Sequence, residues 1–235
     1  MAYVQTSGHY NSHYRDKWVE IAINRYGNSL LSKTALDVGA GLSPYKHIFE
    51  DLDFNYFSQD FNSYRPSEKK NPGLQNLEWE YPKHDFVCDV LDIPNTLKFD
   101  FIICTEVFEH VPDPVVLIKK LSALTEYDGY ILITVPFLSL MHQSPYWFSS
   151  GLSPFWFEYW AEKLNLEICE LEVSGDYVDM MEQEVGRLLY FKKPIRGITK
   201  LSKLVKFFRF LLPSEVLESG GFGTMCVLRQ KQNST

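Results

Sequence analysis

Three kinds of residue in this 235-residue chain could do chemistry, and they differ in how tightly their spacing specifies it. The first is a glycine turn. Residues 34–45, TALDVGAGLSPY, begin as a short apolar run around Asp37 and break into Gly39, Ala40 and Gly41. A strand that ends in glycines can turn sharply and bring its backbone against a ligand, which a side chain beyond Cβ would block. The second is a set of carboxylates. Asp60 follows Asp37 at the distance where α/β nucleotide folds place an acid to accept from ribose hydroxyls. Asp89 ends another apolar run, in HDFVCDVLDIP, with Asp92 expected to cap the turn before Pro94. The third is the histidines. Glu109 and His110 in EVFEHVPDP invite an acid/base reading, set against one in which they only shape the turn. His142 follows a predicted strand, and an imidazole near its ordinary pKa of about 6.5 accepts a hydroxyl proton at neutral pH. His9 and His13 have helical metal-ligand spacing but no further ligand nearby, so no metal is expected there.

The glycine spacing narrows the ligand. A dinucleotide turn reads GxGxxG, with the third glycine allowing close helix packing, and here Pro44 holds that place. The pattern DxGxG resembles the first motif of the class I S-adenosylmethionine-dependent methyltransferases, and the EHV segment is similar to the one that follows their fourth strand. The resemblance runs over about residues 35–173 and 224–229. It implies that Asp37, Gly39, Ala40 and Gly41 hold the amino-acid end and ribose of S-adenosyl-L-methionine, and that Asp60 accepts from the ribose with Phe61 near the adenine. It further implies that Asp89 and the amide of Val90 meet the adenine, with Thr105 at the end of the fourth strand completing the cofactor set. A segment of the form F…HQxP, matched by Phe137, His142, Gln143 and Pro145, would line the acceptor. The implied reaction is transfer of a methyl group to a small molecule, with O-methylation of a hydroxylated metabolite or sugar favoured. If a base is used, His142 is the expected one, set against a reading in which it only hydrogen-bonds the loop that carries the aromatic cluster, with His13, Tyr14 and Tyr146 then in reserve. Two alternatives stand beside this: a nicotinamide-dependent oxidoreductase, and a non-catalytic subunit that binds the cofactor without turnover.

Elements that could position these residues are legible in the periodicity. A helix is expected over residues 11–26 with Trp18, Ile21, Ala22 and Tyr26 on one face, and another over 43–51 with Ser43 as cap and Pro44 in its first turn. Strands are expected over 54–60, within 84–94, over 99–105, 130–137, 166–173 and 223–230, the last antiparallel between the fifth and sixth as the resemblance implies. Tyr127-Asp128-Gly129 reads as the turn into the fifth strand, Asp113 and Pro114 start a helix, and 154–164 form another. Residues 62–83 read as a polar surface connection. The result is a doubly wound, seven-stranded, mostly parallel sheet. The expected organisation is an N-terminal helical cap over 1–33, a cofactor-binding domain over 34–175 and 222–231, and an insertion over 176–221.

Composition excludes some classes. Apolar residues are 45% and charged residues 23%, enough for one sizeable core, while a net charge of −7 without a basic cluster near the glycine turn argues against a nucleic-acid partner. Eight of the fifteen residues from 146 to 160 are aromatic, a density that belongs first to packing. Cys88, Cys104, Cys169 and Cys226 show no CxxC spacing and read as reduced thiols of a cytoplasmic protein. No apolar run approaches the roughly 20 residues of a membrane span. Residues 198–212 pattern as a helix with Leu201, Leu204, Val205, Phe208, Leu211 and Leu212 on one face and lysines and Arg209 on the other. Its apolar face is expected to be covered by the chain or by a second copy in a homodimer, with a membrane surface as the alternative.

Overall fold

The computed structural model describes residues 9–64, 80–191 and 199–231, with side chains from 14–64, 80–185 and 204–231. The elements are α1 (His9–Gly27), β1 (Thr34–Val38), α2 (Lys46–Asp51), β2 (Asn55–Asp60), β3 (Phe86–Val87), β4 (Phe99–Thr105), α3 (Pro114–Leu124), β5 (Thr125–Pro136), α4 (Pro154–Lys163), β6 (Leu166–Ser174), α5 (Tyr177–Phe191), α6 (Thr199–Phe208), α7 (Ser214–Leu217) and β7 (Gly223–Gln230). The strands form one sheet in the order β3-β2-β1-β4-β5-β7-β6, parallel except for β7, which pairs antiparallel with both neighbours.

Strand alternation makes the two layers. Leu36 and Val38 of β1, Ile102 and Cys104 of β4, and Ile131 and Ile133 of β5 point to one face, where Leu117, Ile118 and Leu121 of α3 and Phe157 of α4 cover them. Ala35, Phe101, Ile103 and Leu132 point to the other, against Val19, Ala22 and Ile23 of α1 and Phe49 of α2. With both faces covered, the central strands are apolar on both faces rather than on alternate residues, Asp37 of β1 and Asp100 of β4 being exceptions. Full burial of Phe49 and Phe101, in edge-to-face contact at 5.3 Å, contributes about 1.5–3 kcal/mol for each ring. On the far strand, Glu170 accepts from Trp18 Nε1 at 3.0 Å, Tyr26 Oη at 3.0 Å and Arg25 Nη1 at 2.7 Å, which ties α1 across the sheet. All four cysteines are free thiols, Cys104 and Cys226 buried and the other two half-buried.

Several expectations need correction. Ser43 does not cap a helix: its φ is +53°, it continues the left-handed turn of the glycines, and α2 begins only at Lys46 with Tyr45 before it. The strand within 84–94 is two residues long, because Asp89 turns the chain at once. The fifth strand begins at Thr125 rather than Tyr130. Thr125 pairs with Phe99 and Tyr130 with Phe101, so the expected turn residues ride as an irregularity inside the strand, with Asp128 at φ +65°. Ile21 is half exposed, and Val19 and Ile23 take its place in the core.

Residues 177–217 carry α5, α6 and α7, which form a separate small core of Val178, Val185 and Val205 with Leu212 and Leu217 against it. Arg209 bridges Asp176 and Asp179, and Lys206 reaches Glu182 at 3.2 Å. The expected apolar stripe is therefore split. Val205 and Leu212 face this core, whereas Leu204, Phe208 and Leu211 are exposed, as are Phe207 and Phe210; the side chain of Leu201 lies outside the described residues. Among the described residues no helix is long and apolar enough to cross a membrane.

Candidate active site

The strand order reverses between β1 and β4, and a cavity of about 570 Å³ opens there at the carboxyl edge of the sheet. Its floor is the glycine turn. Gly39 has φ +65° and Gly41 φ +53°, and a Cβ on Gly39 would stand 2.4 Å from Val107 Cγ2, so the strand must end in a residue without a side chain. The turn is held from β2. Gln59 accepts the Gly39 amide on Oε1 at 3.2 Å and the Ala40 amide on its backbone oxygen at 2.9 Å, and donates from Nε2 to Cys88 O at 2.7 Å. Asp60 accepts the Gly41 amide at 3.1 Å on one oxygen and the Asn62 amide at 2.8 Å on the other. Each carboxylate oxygen keeps a further lone pair for a ligand.

Of the ten residues expected at the site, Gly39, Ala40, Gly41, Asp60, Phe61, Asp89, Val90 and Thr105 line this cavity, and Asp37 and His142 do not. Asp37 is buried beneath the turn and accepts from Tyr56 Oη at 2.5 Å. Burial, opposed by that bond and assisted by Asp60, pushes its carboxyl up to about 7. The Asp89 side chain accepts the Leu91 amide at 2.9 Å, so it, and not Asp92, caps the turn before Pro94. Phe61 meets Tyr146 edge to face at 5.0 Å, which joins the β2 end of the cavity to the loop after β5.

Several lining groups escaped the sequence reading, among them Arg15, Glu106, Tyr64 and Tyr81. Arg15, on α1, is the only lysine or arginine lining the cavity among the described residues. It lies 3.3 Å from Glu106, whose other oxygen accepts from Thr134 Oγ1 at 3.0 Å. Burial works against the guanidinium charge, but Glu106, Tyr45 and Asp16 outweigh it and hold its pKa above the ordinary value. Tyr64 and Tyr81, at the two described ends of the connection read as a plain surface loop, also line the cavity. Arginine on one helix and an acid 91 residues later carry no local signal. Aromatics within a polar stretch do, and Tyr64 and Tyr81 are of that kind.

At the other end of the cavity the chain after β4 forms a short turn, Phe108–His110. Glu109 is 0% exposed, and neither carboxylate oxygen has a hydrogen-bond partner among the described residues. Burial first and Glu106 second drive its carboxyl well above the usual range. His110 lines the cavity, hydrogen-bonds Tyr146 O through Nδ1, and is pushed down to about 4 by burial and by His142. His142 packs edge-on to it at 4.8 Å, and its Nε2 lies 3.9 Å from Glu109 Oε1. The loop carrying His142 is pinned to this turn by the Phe148 amide, which donates to Glu109 O at 2.8 Å. Glu109 and His142 thus form one cluster from two loops. The side chains of His9 and His13 lie outside the described residues.

A family described as a methyltransferase domain matches residues 10–183. Among curated proteins the chain is 30% identical over 117 residues to a ubiquinone biosynthesis O-methyltransferase of Actinobacillus pleuropneumoniae, covering 48% of this chain and 49% of that protein. It is 28% identical over 169 residues to the protein of that name from Haemophilus ducreyi, covering 64% and 72%. The chain thus spans about half the length of the first of these relatives. Among solved structures it shares the fold of a SAM-dependent methyltransferase from Archaeoglobus fulgidus, with a TM-score of 0.53 at 15% identity over 94% of this chain and 97% of that one. It likewise shares that of magnesium protoporphyrin IX methyltransferase from Synechocystis PCC 6803, with a TM-score of 0.52 at 9% identity over 98% and 83%.

Proposed function

The chain belongs to the methyltransferase domain family, and from that membership we propose that it transfers the methyl group of S-adenosyl-L-methionine to a hydroxyl of a small molecule, a hydroxylated metabolite or sugar. The observation that carries the proposal is the left-handed Gly39–Gly41 turn, tied to Gln59 and Asp60, at the floor of a cavity large enough for the cofactor and an acceptor. In this reading the turn lies against the amino-acid end of the cofactor and Arg15 pairs with its carboxylate. Asp60 accepts from the ribose, and Asp89, Val90 and Phe61 hold the adenine. Asp37 acts from below, through the turn. Thr105 closes the cofactor half beside β4.

The sulfonium supplies an activated methyl and a good leaving group. What the chain must contribute is alignment of acceptor oxygen and methyl, which is worth about 7–11 kcal/mol where the geometry is tight. A hydroxyl must also lose its proton, and we place that step at the Glu109–His110–His142 cluster, where His142 is the residue expected to take it. The relatives' designation as O-methyltransferases, and the tyrosines at the cavity, support a hydroxyl-bearing acceptor. Thermal unfolding with S-adenosylhomocysteine tests the reading. At one hundred times its dissociation constant the ligand adds about 2.7 kcal/mol, whereas NAD should add nothing. A melting temperature unmoved by millimolar S-adenosylhomocysteine would sink it.

A further inference from the structure

We propose that Glu109, His110 and His142 bind a divalent first-row transition-metal ion, with zinc the best match. Their ligand atoms lie within 4.8 Å of one another. The tautomers of the two rings follow from their partners. His110 Nδ1 bonds the carbonyl of Tyr146, and His142 Nδ1 bonds that of Leu140 at 2.9 Å. A carbonyl only accepts, so both Nδ1 atoms carry hydrogen and both Nε2 atoms carry the lone pair. Those two lone-pair nitrogens lie 3.7 and 3.9 Å from the same oxygen, Glu109 Oε1. That separation is too long for a hydrogen bond. It is a few tenths of an ångström wider than the roughly 3.4 Å between two ligands bonded tetrahedrally at about 2.1 Å to one zinc ion.

The surrounding contacts are those a metal site needs. Each histidine donates its second nitrogen to a backbone carbonyl, the arrangement that fixes ring orientation in metal-bound imidazoles. Glu109 is fully buried with both oxygens unpartnered among the described residues, and a carboxylate in that position needs a cation to remain charged. Arg15, the one guanidinium at the cavity among the described residues, is engaged elsewhere, with Glu106 and Asp16. Two imidazoles and one carboxylate select zinc and its neighbours over magnesium or calcium, which prefer all-oxygen shells. Three protein ligands leave a coordination position open, as in catalytic rather than structural zinc sites. Because His110 also lines the cavity, an acceptor hydroxyl there is placed to take that position and lose its proton to water; with the ion bound, His142 Nε2 is a ligand, and the ion takes over the activation that His142 would supply as a base in the metal-free site. The ion's effect on the hydroxyl rests on the methyl-transfer reading; its binding does not.

The test is a titration of the full chain, stripped with a chelator, with Co²⁺ followed by its visible ligand-field absorption, and then displacement by Zn²⁺. One ion per chain is expected, with Glu109→Gln and His142→Gln each weakening Zn²⁺ affinity at least about tenfold. S-Adenosylhomocysteine binding is measured on the same samples. Absence of a saturable cobalt band, or a His142→Gln variant that holds zinc as tightly as the parent chain, overturns the proposal. If Glu109→Gln fails to fold, His142→Gln alone decides, since that ring is partly exposed. Loss of S-adenosylhomocysteine binding with zinc retained would instead strike at the methyl-transfer reading and leave the metal site standing.

Discussion

The two ends of the one cavity are built on opposite terms. At the glycine turn, every polar side chain that shapes the floor has its partner: Gln59 holds two amides and a carbonyl, Asp60 two amides, Asp89 one, and Asp37 a phenol. At the Glu109 end a buried carboxylate has none among the described residues. A fully bonded floor is preorganised and needs no rearrangement to receive a ligand. An unmatched carboxylate stores unfavourable energy that a bound group relieves, the usual signature of a position kept for chemistry rather than for stability.

The sharpest way to break this contrast is at the reactive end. His142→Ala is expected to lower turnover by about 10²- to 10⁴-fold while leaving S-adenosylhomocysteine affinity unchanged. A calorimetric titration beside the rate measurement decides it, and equal loss of both would merge the two ends into one. Next comes the floor itself. Gly39→Val must adopt φ +65° with a branched side chain and push its Cβ into Val107, so a loss of about 2–5 kcal/mol in urea denaturation is expected, together with cofactor binding.

Asp37 sharpens the comparison through pH. Its folded pKa of about 7 lies above the ordinary carboxyl value of 3.8, so the neutral acid is the form the fold favours. Its contribution is then fully present below about pH 4 and is lost as pH rises towards 7. The drop is of order 4 kcal/mol at most, because each pKa unit is worth about 1.4 kcal/mol. Asp37→Asn should flatten stability between pH 4 and 7, and an unchanged slope would show that Asp37 stays ionised. The smallest effect is expected at Asp60, where replacement by alanine should weaken S-adenosylhomocysteine binding by about 1–3 kcal/mol by removing a ribose acceptor and freeing the Gly41 amide.

Strand edges and the glycine turn were legible because their causes are local. The apolar run Phe99–Thr105, between Lys98 and Glu106, and the strand Gly223–Gln230, after the pair Gly220 and Gly221 and before Lys231, lie where the pattern puts them. Eight of the ten expected site residues line the cavity for the same reason, since strand ends in a parallel sheet deliver their termini to one edge. What could not be read is long-range. The pairing of Arg15 with Glu106 and the meeting of Glu109 with His142 join segments separated by a whole layer of the fold. Ser43 misled because a serine before a helical pattern normally caps it, whereas here the turn keeps a positive φ through three of five residues. The stripe over residues 198–212 is real as periodicity, but among the described residues only Val205 and Leu212 of it meet the small core of Val178 and Val185, and Leu204, Phe208 and Leu211 stay exposed.

The placement of β7 has a consequence for how the molecule comes into being. Its central residues pair on both sides, Leu228 with Ile131 and Ile168, so β6 touches the rest of the sheet only through a strand made about fifty residues later. On the ribosome, β1 to β5 can assemble as they emerge, but β6 must wait beside an open edge until the chain's last strand arrives and slides in between. The closing of that gap, across a connection of about fifty residues, is the event on which the rate of folding should depend.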